Sequence, residues 1–309
     1  MKIRAFFHIA DLDGHCSGAI FRYVAKIMGW SGVKLIPYNY GYDIDLEDLK
    51  DADVYFLDCT PSPIETMAAK IAAVAANIYV CDHHKTALED PAFKQFLSNG
   101  NSRVGEDSGC ALTWEFFKEV LGEMPTVVRL LSDYDVWKDG DKQKWNELIL
   151  PVQFAMKGRT TDPTTDESAG LWRLVLEDAF DVDKLVRDGK IIMQYEKKRL
   201  DMVAKSGAFE AEFAGKRAIC MNTCTKSSQA FESVFDPAKH DCMFAFTVRG
   251  PKEGGMKFNV SLYAVNPRVN CGEIMQRYGG GGHVGAAGCE ARSMTIENGV
   301  LKLDGGVQR

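Results

Sequence analysis

Nowhere does the sequence hold an apolar run approaching the roughly 20 residues that a helix needs to cross a bilayer. Its amino terminus, MKIRAFFHIADLDG, turns acidic too early for a signal peptide. A cytoplasmic protein with no membrane partner is expected. Basic residues are not in excess either: 37 Lys and Arg stand against 43 Asp and Glu, a net charge of −6. Broad electrostatic adhesion to long nucleic acid is therefore not advertised, and an anionic ligand must be caught locally. The nine cysteines are odd in number and irregular in spacing, which argues against a disulfide framework and fits free thiols in a reducing compartment. Cys220, Cys224, His240 and Cys242 lack the spacing of a zinc ribbon or finger and read as buried thiols and a neighbouring histidine among strands. Internal repeats and low-complexity segments are also missing. What remains is the 46% hydrophobic and 26% charged composition of a globular enzyme, in 309 residues that exceed one small core. Two domains are expected.

The first half alternates strand and helix patterns. IRAFFHI, VKLIPY, ADVYFLD and IYVCD read as strands. SGAIFRYVAKIMGW and TPSPIETMAAKIAAVAAN read as helices; Ser17 is the expected N-cap of the first, and Ser62 with Glu65 forms a capping-box pattern in the second. Such alternation predicts an α/β domain with a parallel sheet and helices on both faces. Further helices are expected between Gly109 and Trp137 and up to Leu176, followed by a long charged helix. Beyond Gly207, the segments KRAICMNT, DCMFAFTVRG and MKFNVSLYAV read as strands ahead of a helix CGEIMQRY and a glycine cluster. The expected domains are 1–182, a helical linker 183–207 and a smaller α/β domain 208–309.

In open parallel sheets ligands bind beyond the carboxyl ends of the strands. That is where this chain places His8, Asp11 and Asp13 after the first strand, Asp58 after the third, and Asp82, His83 and His84 after the fourth. Any one of these aspartates could simply cap a helix, but three such loops together crowd carboxylates that repel one another unless a cation intervenes. Carboxylate and imidazole donors without thiolate favour Mn²⁺, with Mg²⁺, Co²⁺ or Fe²⁺ as competitors and Zn²⁺ ranked below them. Two ions suit the number of donors. Cys59 and Cys81 adjoin these residues, yet strand alternation aims them elsewhere, so they read as buried hydrophobes.

HIADLDG, FLDCT and CDHHK, in this order, resemble successive motifs of the DHH phosphoesterase superfamily, and YGGGGHVGAAGC near the carboxy terminus resembles the signature of its DHHA1 domain. The resemblance implies a two-metal centre: Asp58 bridging, His8 and Asp11 on one ion, Asp13 and His83 on the other, and His84 facing substrate. The last ligand is an aspartate in LLSDYDVW; Asp133 is favoured and Asp135 is the alternative. Asp82 is expected to orient an imidazole.

Four glycines, Gly279 to Gly282, let a backbone approach an anion and aim N–H groups at it. The resemblance implies that Gly280, Gly281, Gly282 and His283 grip the substrate's phosphate or terminal nucleotide. Where many relatives carry an arginine, SLYA places Tyr263, so Arg268 is a candidate replacement and Tyr263 a candidate for base stacking. The expected activity is Mn²⁺-dependent hydrolysis of a short nucleotide substrate: a short oligoribonucleotide, pAp, or a cyclic or linear dinucleotide. The alternatives are a single-strand-specific exonuclease and a noncatalytic nucleic-acid-binding scaffold. A homodimer is compatible with either reading.

Overall fold

The computed structural model describes residues 2–84, 90–96, 102–225, 227–250, 255–266 and 268–306. Two compact units emerge, divided after Met193, inside the helix Val182–Gly207. The division falls there because Leu185 packs into the core of the first unit, whereas Leu200, Val203 and Ala204 pack into the second.

In the first unit β1 (Ile3–His8), β2 (Val33–Tyr38), β3 (Asp53–Leu57), β4 (Asn77–Asp82) and β5 (Arg103–Val104) form a parallel sheet in the order β2-β1-β3-β4-β5. Side-chain alternation sends Ile3, Ala5 and Phe7 to one face, under the helices Leu12–Ile27, Gly109–Phe116 and Thr126–Asp135. Phe6, Val54, Phe56 and Val80 point to the other, under the helices Ile64–Ala72 and Pro91–Phe96. This is the predicted α/β layout. Register aligns the strand ends: Phe7 lies opposite Leu57, and Leu57 opposite Cys81. His8, Asp58 and Asp82, each one residue further on, therefore leave the sheet at one level.

Two expected caps are corrected. Ser17 lies inside the helix Leu12–Ile27, its hydroxyl donating to Asp13 O at 2.9 Å, and Asp11 is the N-cap, accepting from Gly14 N–H at 3.0 Å. The acidic turn thus already contains the first helical turn. Ser62 forms no capping box: its N–H goes to the Tyr38 hydroxyl at 2.9 Å, and Pro63 occupies the cap position without a side-chain bond.

The second unit contains β6 (Ala208–Phe213), β7 (Lys216–Asn222), β8 (Cys242–Arg249), β9 (Lys257–Tyr263), β10 (Gly281–Gly282), β11 (Ala286–Glu297) and β12 (Val300–Gly306). β11 pairs with β9 through Ala286–Ala291 and with β12 through its later residues, so the pairings run in a closed circuit through β12, β6, β7 and β8. β6, β11 and β12 lie outside the sequence expectation. Cys220 and Cys242 are buried as expected, whereas Cys224 is exposed. No helix among the described residues is long and apolar enough to cross a membrane.

Gly189, within the long helix, faces the helix Leu150–Lys157; a Cβ there would stand 1.8 Å from Pro151 O. In a free helix Gly→Ala stabilises by about 1 kcal/mol, but the overlap with backbone reverses the sign. Gly189→Ala should destabilise the protein by roughly 1–3 kcal/mol, read as a lower denaturation midpoint. A stabilised variant would show that the two helices can separate freely.

Candidate metal centre

The sheet order reverses direction between β1 and β3, which opens a crevice at their carboxyl ends. The centre forms there. Asp58 follows β3 at φ +57, a left-handed conformation that aspartate tolerates better than most residues, with its N–H bound to Cys81 O at 2.7 Å. That turn lodges its carboxylate in the interior, 1% exposed. Two helix starts press on the strand ends. A Cβ on Gly14 would fall 2.1 Å from His8 O, and one on Gly109 would fall 2.4 Å from Asp58 Cβ, so only glycine admits these approaches. Asp13, buried in the first turn of its helix, accepts N–H bonds from Gly109 at 2.6 Å and Cys110 at 2.9 Å, a carboxylate docked on a helix N-terminus.

Among the described residues three groups bring one donor atom each within 4.8 Å of one another: His8, Asp11 and Asp58; Asp13, His83 and Asp135; and Asp58, His83 and His84. His8 Nδ1 stands 3.4 Å from Asp58 Oδ2 and 3.6 Å from Asp11 Oδ2. His83 Nε2 stands 3.4 Å from Asp58 Oδ1, 3.3 Å from Asp135 Oδ2 and 3.8 Å from Asp13 Oδ2. Asp58 and His83 each belong to two groups, so the sites adjoin.

Asp82 accounts for the adjacent histidines. Fully buried, its Oδ1 accepts the N–H of His83 at 2.8 Å and of His84 at 3.3 Å and lies 2.7 Å from His84 Nδ1. This turns the chain so that the two imidazoles diverge, and it fixes one edge of His84. The hydrogen bond to Asp82 raises the His84 pKa to about 9, against the opposing effect of burial.

The electrostatics call for a cation. Burial and then Asp58 push Asp13 up to about 8; burial and then Asp13 push Asp135 up to about 7; burial and then Asp11 hold Asp58 well above the ordinary range. His8 Nδ1, Asp58 Oδ1 and Asp82 Oδ2 are buried without hydrogen-bond partners. Such atoms are costly to leave unsatisfied. Two of the three belong to the donor groups, and oxygen and imidazole donors of this kind fit a divalent metal.

His8, Asp11, Asp13, Asp58, His83 and His84 are thus brought together, with Asp82 directly behind them. Asp133 is not. It accepts from Lys144 Nζ at 2.7 Å and lies 3.5 Å from Lys138 Nζ. Asp135, two positions on along the helix, reaches the cluster, because that step rotates a side chain by about 200° at 3.6 residues per turn. Sequence reading also missed Tyr40, whose ring lies 5.6 Å from that of His8 and 5.9 Å from that of His84. Its signal was its place just beyond β2, at the same edge of the sheet.

In the second unit the glycines form a closely packed turn. Gly279 takes φ +75, and a Cβ on Gly280 would meet Gly288 O at 2.1 Å. The N–H groups of Gly279 and Gly280 close the preceding helix, on Gln276 O and Met275 O, while Gly281 and Gly282 pair with β11. His283 and Arg268 are exposed, and Tyr263 is half-buried. Cys59 and Cys81 are buried and belong to none of the donor groups.

No family model matches the chain, nor does any curated protein. Among solved structures it is similar to a DHH-domain protein described as a member of a family of ribosomal proteins, at 13% identity and a TM-score of 0.55, covering 98% of this chain and 83% of that one. It is also similar to a pGpG-specific phosphodiesterase from Vibrio cholerae, at 13% identity and a TM-score of 0.45, covering 94% of this chain and 92% of that one. Mn²⁺-bound RecJ from Thermus thermophilus is another, at 14% identity and a TM-score of 0.45, covering 93% of this chain and 49% of that one. The first likeness shows the fold: the chain has the architecture of a DHH-domain protein. The other two add nothing to that statement.

Two measurements check the centre. Asp135→Asn should weaken Mn²⁺ binding, read by titration calorimetry, by at least about tenfold, since even groups behind metal ligands are worth that much; Asp133→Asn should not. The reverse pattern would return Asp133 to the centre. The second concerns the metal-free protein, in which folded Asp13 and Asp135 retain protons that the unfolded chain has released. Its stability should therefore fall as pH rises from the ordinary carboxylate value through about 7 to 8, and saturating Mn²⁺ should flatten that slope. A metal-free stability independent of pH over this window would contradict the crowding.

Proposed function

We propose that the chain is a divalent-metal-dependent phosphoesterase acting on short nucleotide substrates. One observation supports this above the others: two donor groups of carboxylate and imidazole share Asp58 or contact it, at the crevice where a doubly wound sheet reverses. His8, Asp11 and Asp58 would hold one ion, and Asp13, His83 and Asp135, with Asp58 shared, a second. Bound in pairs, such cations lower the pKa of a water and neutralise charge developing on phosphorus, and Mn²⁺ suits these donors.

The chain's own groups supply orientation and proton placement. Asp82 fixes the Nδ1 edge of His84 and raises its pKa to about 9, so at neutral pH the imidazolium can present its other N–H to a phosphoryl oxygen. No covalent intermediate is needed, and Ser17, bound to Asp13 O inside its helix, is no nucleophile. In the second unit His283 is the proposed contact for a non-reacting phosphate, with Gly281, Gly282 and Arg268 beside it in role. Gly280 contributes shape more than donors, since its N–H closes a helix. The acidic net charge favours short substrates over long strands.

The test is hydrolysis of bis-p-nitrophenyl phosphate and of the dinucleotide pApA, with Mn²⁺ and with EDTA. Asp58→Asn should lower metal-dependent turnover of both by at least about 10³-fold, the equivalent of several kcal/mol. Wild-type protein inert towards both substrates with Mn²⁺ would leave the scaffold reading in its place. His283→Ala should retain bound metal and lose roughly tenfold on pApA, with a smaller loss on the aryl diester, because remote contacts position only the larger substrate. Equal losses on both would move His283 into the chemical step.

A further inference from the structure

The end of the helix Thr126–Asp135 is built in a way that the fold does not demand. Lys138 N–H donates to Asp133 O at 2.9 Å and Trp137 N–H to Tyr134 O at 3.1 Å, the paired bonds of a Schellman closure. Such closures place one residue in the left-handed region, and glycine is its usual occupant because it has no Cβ to strain. Here that residue is Trp137, at φ +57. A bulky side chain in this conformation is an outlier.

Burial does not offset the strain, because Trp137 is 63% exposed. The indole is nonetheless held. Its centroid lies 5.1 Å from that of Trp145, and Trp145 is buried and stacked on Tyr134 at 5.6 Å with 7° between planes. Lys157 Nζ lies 5.3 Å from the Tyr134 ring. Tyr134 of this stack directly precedes Asp135 in the helix. Asp135, whose carboxylate stands 3.3 Å from His83 Nε2, is only two residues before Trp137, and two residues of backbone span at most roughly 7 Å. Strained residues persist where surrounding contacts enforce them, and they gather at functional sites.

We infer that Trp137 is a stacking platform for a nucleobase of the substrate, its ring held at a 52° tilt against both Trp145 and Tyr134. The inference rests on the phosphoesterase reading and narrows it: the substrate class is one that carries a base next to the scissile phosphate, as a dinucleotide does and inorganic pyrophosphate or polyphosphate does not. Stacking on an aromatic ring needs no hydrogen-bond readout, so the platform tolerates any base and discriminates base from no base.

The test compares pApA with an abasic dinucleotide of the same charge. Equilibrium binding is measured by quenching of intrinsic tryptophan fluorescence in EDTA, where turnover cannot intervene, and KM and kcat are measured separately with Mn²⁺. Trp137→Gly should weaken pApA binding by roughly tenfold to a hundredfold. Its effect on the abasic compound should be far smaller, with the loss appearing in KM and not in kcat. Trp137→Phe should recover most of the affinity. Trp137→Gly should also raise the unfolding temperature, because glycine relieves the left-handed strain; binding and stability then move in opposite directions, which a merely structural tryptophan would not produce. Equal affinity of wild-type protein for pApA and its abasic analogue, or equal losses on both in Trp137→Gly, overturns the platform. Absence of Mn²⁺-dependent hydrolysis overturns the phosphoesterase reading instead, and the binding comparison still decides the role of Trp137.

Discussion

The bond between the Asp13 carboxylate and the start of the helix Gly109–Phe116 is the constraint on which the centre depends. It joins two elements 96 and 97 residues apart in sequence and brings Gly109 against the Asp58 side chain. A buried carboxylate beside other carboxylates is unfavourable in isolation. The N–H groups of a helix start reduce that penalty on one side, and a cation would reduce it on the other. The N–H groups do not suffice alone, since Asp13 remains pushed up to about 8 with both N–H bonds in place. The fold therefore concentrates negative charge at one point and leaves its neutralisation to a ligand. Charge concentration of this kind reduces stability, and the apolar faces of the sheet supply the excess that tolerates it.

Much of this was legible in the sequence, because the features concerned are local. A run such as VYFLD reports both a strand and the charged residue that ends it, and parallel strands in register deliver such residues to one level. CDHHK was legible for the same reason, and the role expected of Asp82 follows from a turn three residues long. Asp133 and Asp135 were beyond such reading. Both lie on one helix two positions apart, and the choice between them depends on how that helix is rotated against the sheet, which Lys144 and Lys138 betray only in three dimensions. Ser17 misled because the helix starts earlier than its apolar pattern: Asp11 caps it, and Leu12, Asp13 and Gly14 are already helical.

The second unit was read less fully, for a different physical reason. β11 begins AAGC, with little of the β-branched or aromatic content that marks a strand, and its small residues are needed where β9 and β10 flank it on both sides. A strand defined by the closeness of its neighbours has a weak local signal. The glycine cluster shows the same effect: what reads as a flexible, anion-seeking loop is partly a helix closure and partly a strand.

The glycines opposite His8 and Asp58 have a consequence for how such a chain can vary. Gly14 and Gly109 have no side chains to offer, yet a Cβ on either would overlap a side chain of the candidate centre or its backbone. Substitution at either would displace a donor as surely as replacing the donor itself. The inheritable unit of this centre is therefore a set of pairs, a donor with its facing glycine. Drift at the glycine is closed off for as long as the donor is kept, and once the donor is lost the glycine is released from that constraint. On the proposed metal-binding reading, a descendant that had abandoned that chemistry would show side chains at positions 14 and 109 among its first visible scars, even where the aspartates and histidines still stood.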